Sequence, residues 1–146
     1  MTAVAAYSSR SPSADYDRGA VILNYVAGGT VSIGDAVYLD DNNQVQQAIG
    51  SSSKAAHALG IVVGVTNFYA ETSEAAGGWV AVCIHGPVFG WTGLIDGQVI
   101  YVSKTVAGGM DTTAPTGGVY DYIMGNAIGN DTIFVRPGQT TPASTA

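Results

Sequence analysis

The sequence predicts an all-β fold, a small β-barrel or β-sandwich of about eight to ten short strands with an extended N-terminal arm. Three observations carry this. Glycine fills 20 of 146 positions, about twice its usual share, without a collagen-like period, so tight turns are frequent. Short runs of β-branched and aromatic residues recur between glycine or Asx punctuation. No stretch keeps a helical period long enough to outweigh the cost of nucleating a helix.

The elements follow in order. Residues 1–19 are rich in Ser, Ala and Asp, contain Pro12 and show neither period, which reads as an extended arm without a core of its own. Val21, Ile22, Leu23, Tyr25 and Val26 then form a first strand that ends at Gly28 and Gly29. Further strands are expected at Ala36–Leu39, Val45–Ala48, Leu59–Thr66, Trp79–Ile84, Pro87–Trp91, Val99–Ser103, Tyr120–Ile128 and Ile133–Val135. Ser51–Leu59 and Glu71–Ala76 have helix-friendly composition, enough for a turn or two each. One β domain spans residues 20–138, and 139–146 form a flexible tail.

The chain echoes itself. Gly34-Asp35-Ala36-Val37-Tyr38-Leu39 matches Gly97-Gln98-Val99-Ile100-Tyr101-Val102, and Leu59-Gly60-Ile61-Val62-Val63-Gly64 matches Met124-Gly125-Asn126-Ala127-Ile128-Gly129. Two related β units are expected, each beginning at a glycine turn and returning through a glycine-marked strand, the pair closing one barrel.

Composition excludes several functions. Five Lys and Arg against 11 Asp and Glu give a net charge of -6, so the chain as a whole repels nucleic-acid phosphates. Charged residues are 11 % of the chain, where about a quarter is usual. The single cysteine, Cys83, makes no internal disulfide and so requires no oxidising compartment. Met1–Tyr7 has no basic segment and too short an apolar one for a secretory signal. Ala58–Val65 is far shorter than the roughly 20 residues of a membrane-spanning helix.

No residue set reads as catalytic, and no cofactor or metal is called for. Asp40-Asp41-Asn42-Asn43 lacks the spacing of a calcium loop and reads as a hairpin turn. Cys83 and His85, two apart on a strand, would share a face, but zinc or a nucleophilic thiol needs further partners, and a packed thiol is the expectation. Gly86–Gly93 has no Gly-Lys-Ser/Thr sequel and is no phosphate cradle. Glu71 and Glu74 sit on one polar loop rather than across a cleft. Asn130-Asp131-Thr132 matches a glycosylation sequon and reads as a turn before the last strand. Trp79, Trp91, Phe89 and eight tyrosines are expected to fill a core or a subunit interface. A carbohydrate- or receptor-binding platform around Trp79 and Trp91 is the rival reading.

Thr92–Ser103, Ala107–Met110, Gly125–Ile128 and Ile133–Pro137, with Gly34–Tyr38 and Gly60–Gly64 in the first half, resemble the small capsid decoration, or cement, proteins of tailed bacteriophages. The likeness runs from about Ala20 to Gly138. It implies a non-catalytic β module that assembles as a homotrimer on an icosahedral shell and clamps neighbouring major capsid proteins. The virion surface would be its location, with assembly in the host cytoplasm. No binding residue is carried over. The arm supplies its own candidates, Tyr7, Arg10, Tyr16 and Arg18, because aromatic rings and guanidinium forks anchor a segment that orders on binding.

Overall fold

The computed structural model describes residues 15–16, 19–51, 55, 57–66, 72–113 and 122–139. Within them the chain is all-β. Its strands are β1 (Asp15–Tyr16), β2 (Val21–Ala27), β3 (Val31–Ser32), β4 (Ala36–Leu39), β5 (Gln44–Gln47), β6 (Ala58–Val65), β7 (Ser73–Glu74), β8 (Trp79–Phe89), β9 (Val99–Val102), β10 (Met110–Asp111), β11 (Tyr122–Ala127) and β12 (Thr132–Gln139).

β8 is the spine. Its first half lies between β2 (Ile22↔Cys83 to Val26↔Trp79) and β6 (Ile61↔Cys83 to Val65↔Val80), both antiparallel. β4 follows β6, β5 follows β4, and β5 returns to β2 in parallel through Val26↔Gln44 and Ala27↔Val45. Those five strands close a small barrel. The second half of β8 pairs with β12, which leads to β11, β9 and β10 as an open extension. β1 continues the line of β2 along the same edge of β8, through Tyr16↔Val88 and Asp15↔Phe89. β3 and β7 form a separate two-stranded ribbon.

Alternation of apolar residues makes this possible. Val37, Val45, Ile61, Val62, Val80 and Val82 are buried around the barrel, and Val88, Ile100, Val102, Met124, Ile133 and Val135 carry the same cluster into the extension. Burying each such side chain contributes about 1.5–3 kcal/mol. Because the cluster is continuous, neither half has a core boundary of its own. Backbone bonds interlock them as well: Gly108, in the β9–β10 loop, accepts from Ala36 N–H at 2.9 Å and donates to the Ala48 carbonyl at 2.8 Å.

The internal echo is a structural repeat. Ala36↔Ile61, Val37↔Gly60 and, past a bulge, Tyr38↔Ala58 reappear as Val99↔Asn126, Ile100↔Gly125 and, past the same bulge, Tyr101↔Ile123. The opening turns match too. Gly34 and Gly97 adopt φ of 94° and 87° and donate to the carbonyls of Val62 and Ala127, each at 2.8 Å. In each turn a side-chain oxygen, Asp35 Oδ2 or Gln98 Oε1, accepts the N–H three residues earlier, Ser32 or Ile95, again at 2.8 Å. The first unit runs from β2 to the first half of β8, and the second from the second half of β8 to β12.

Several expectations change. The two units do not close one barrel together: the first closes alone, and the second stays an open sheet. Trp79–Ile84 and Pro87–Trp91 are one strand, since Gly86 at φ 117° bends the chain without ending it. The helical reading of Ser51–Leu59 fails at its end, where Ala58 and Leu59 open β6. That of Glu71–Ala76 fails because β3 offers backbone partners to Ser73 and Glu74. The two-residue strands β1, β3, β7 and β10 are too short to leave a period in the sequence.

Candidate functional site

The arm candidates come first. Tyr7, Arg10 and Arg18 lie outside the described residues, and so does the Tyr16 side chain. The backbone of Tyr16 is placed beside Val88, at the edge of the second unit.

The structure separates Cys83 from His85. Ile22 pairs with Cys83 and its predecessor Val21 with His85, so Ile84 is an extra residue in β8. That bulge turns the two side chains to opposite faces, contrary to simple alternation. Cys83 is 0 % exposed, with its Sγ 3.8 Å from the Gly86 carbonyl, and burial pushes the thiol above its ordinary range. A neutral, packed thiol is no nucleophile. His85 is exposed, with its ring edge-on to Phe134 at 5.2 Å. His57 lies elsewhere: it hydrogen-bonds the Tyr122 hydroxyl and joins the β6 entrance to β11.

The other polar clusters are structural. Asp40 Oδ1 accepts the N–H groups of Asn42 and Gln44 at 2.8 and 3.0 Å, and Asn43 takes φ 59°. That is the expected hairpin turn, and it joins β4 to β5. Glu74 accepts the Thr66 N–H at 2.8 Å. Among the described residues, no three of His, Cys, Asp and Glu gather as a metal site would need.

Asp111 is buried on β10. Burial pushes its carboxyl above the ordinary range, and a hydrogen bond with Ser103 opposes that less strongly. A raised value penalises the charged form, so this group's contribution is best below its unfolded-state value and is lost as pH rises through the folded one. Asp111→Asn should therefore gain stability relative to the parent chain as pH climbs from about 4 toward 7, read by urea unfolding at each pH. A pH-independent difference would contradict the assignment.

The surface also carries exposed large apolar residues. Trp91 is 2 % exposed and belongs to the core, so no platform joins it to Trp79. Trp79 is 58 % exposed beside an open groove of about 620 Å³ lined by Asn24, Gly64, Thr66 and Ala81. A second group lies at the far end of β8. Phe89 pairs with Thr132, whose carbonyl accepts the Ile128 N–H, and Gly97 N–H reaches Ala127, so Ile95 and Ile128 sit on adjoining loops. Phe89, Ile95 and Ile128 are all exposed. Of this second group, the sequence singled out Phe89 but not Ile95 or Ile128. The signal was present in the repeat, whose return segment is shorter in the second unit. No family model matches the chain, and no curated protein matches it.

Proposed function

We propose that the protein is a structural virion protein, binding the outside of an icosahedral phage capsid as a trimer and bridging neighbouring major capsid proteins. The observation that carries the reading is the coincidence of a charged fraction of 11 % with exposed large apolar residues at both ends of β8, including Trp79, Phe89, Ile95 and Ile128. Interface centres are depleted in charge and enriched in aromatic residues. A trimer multiplies modest contacts through effective concentration, and binding only the assembled shell stabilises that shell by mass action. Tyr7, Arg10, Tyr16 and Arg18 are the contact residues in this reading.

The test is cosedimentation with expanded empty heads, together with light scattering. Saturable binding, a mass three times 14.8 kDa and heads that resist heating longer are expected. A monomer that stays in the supernatant overturns the reading.

One observation favours a second reading, glycan binding on the virion surface: the exposed Trp79 indole beside a groove that offers Asn24 and Thr66. Retention on a glycan array that Trp79→Ala abolishes would support it, and no retention would remove it.

A further inference from the structure

The second unit lacks what covers the corresponding place in the first. Between β6 and β8 the chain carries β7, which pairs with β3 through Val31↔Glu74 and Ser32↔Ser73, while Thr72 accepts the Ile33 N–H at 2.8 Å. Between β11 and β12 this excursion is missing. Positions on β6 and β11 differ by 65, whereas those on β8 and β12 differ by 51, fourteen residues fewer.

The counterparts of Val31, Ser32 and Ile33 are Leu94, Ile95 and Asp96. Leu94 is buried, as Val31 is. Ile95 stands where the covered unit has serine, yet it is 65 % exposed. Ile128, counterpart of the buried Val63, is 46 % exposed. The Asp96 N–H, counterpart of the Ile33 N–H that Thr72 accepts, has no acceptor among the described residues. An uncovered edge with a larger apolar residue than its covered twin calls for a covering strand.

We infer that this edge is a strand-addition site, filled in the assembled protein by residues 1–14 of a neighbouring copy, laid along Leu94–Asp96 as β7 lies along β3. The inference rests on the trimer reading and names its contact. Two facts point to this occupant. Fourteen residues precede Asp15, and extended they reach about 46 Å. Ala3-Val4-Ala5-Ala6-Tyr7 suits Ile95 and Ile128, and Arg10 suits the exposed Asp96 and Asp131 that flank them.

Light scattering and amide hydrogen exchange on the full chain, a chain lacking residues 1–14, and Ile95→Asp test the proposal. A trimeric full chain with a protected Asp96 amide is expected. In both variants association should weaken about tenfold or more, with loss of that protection and an unchanged circular-dichroism spectrum. If both variants stay trimeric and the amide is unprotected throughout, the site is wrong and the trimer stands. A monomeric full chain whose amide is protected until truncation places the segment on its own body and overturns exchange between copies. A monomer with an unprotected amide removes both readings.

Discussion

Gly60→Ala and Gly125→Ala are each expected to cost about 3–5 kcal/mol, a large fraction of the 5–15 kcal/mol that holds a domain of this size folded. A Cβ at Gly60 would collide with the carbonyl oxygen of Cys83, and one at Gly125 with the carbonyl oxygen of Phe134. These are equivalent places, since Cys83 on β8 and Phe134 on β12 occupy the same register position in the two units. Neither obstacle is a side chain that could swing aside. Each belongs to a strand held on both edges, β8 between β2 and β6, and β12 between β11 and β8, so relief requires the strands to part and their ladder to lengthen. Gly138→Ala is the control: a Cβ there meets nothing within 4 Å, and its effect should stay within about 0.5 kcal/mol. Thermal and urea unfolding decide the matter, with midpoints lowered by about 10 °C or more at the first two positions. Tolerance of alanine at either one would mean the two bulges are not equivalent.

Those two glycines also mark what the sequence discloses. The barrel strands were legible because apolar residues alternate between turn glycines, and Ala36–Leu39 is bounded in the structure as in the sequence. The repeat was legible because each unit needs glycine at the same close approach, so Gly60 and Gly125 survive among otherwise changed neighbours. Closure was not legible. The parallel pairing of β2 with β5 joins Val26 and Ala27 to Gln44 and Val45, a long-range choice that periodicity does not encode. The bulge at Ile84 was equally hidden, because an extra residue changes the facing of Cys83 and His85 without changing the composition around them. The exposure of Ile95 and Ile128 was hidden for a related reason. Leu94 and Ile95 look alike in sequence, and that Ile95 stands where the first unit has a serine beside β7 emerges only when the two units are laid over one another.

Trp91→Ala is expected to cost about 3–5 kcal/mol and Trp91→Phe distinctly less. The indole is the largest fully buried side chain among the described residues, and its backbone N–H is fixed to the Asp131 carbonyl at 3.1 Å. Alanine would leave a cavity in a close-packed core. Phenylalanine keeps one ring and also removes Nε1, which is buried without a hydrogen-bond partner among the described residues. Leaving such a donor unpaired costs about 1–3 kcal/mol, so its removal offsets part of the lost packing. The two tryptophans make the measurement direct. Trp79 is exposed and open to a soluble quencher, so the shielded emission reports Trp91 and should be absent from both variants while only the alanine one melts early. The consequence reaches the surface: Trp91 anchors the turn that delivers Leu94 to the core and Ile95 to solvent, so Trp91→Ala should also weaken self-association and Trp91→Phe should preserve it. A phenylalanine variant as unstable as the alanine one would show that the indole N–H has a partner, and that polar contact rather than volume holds the turn.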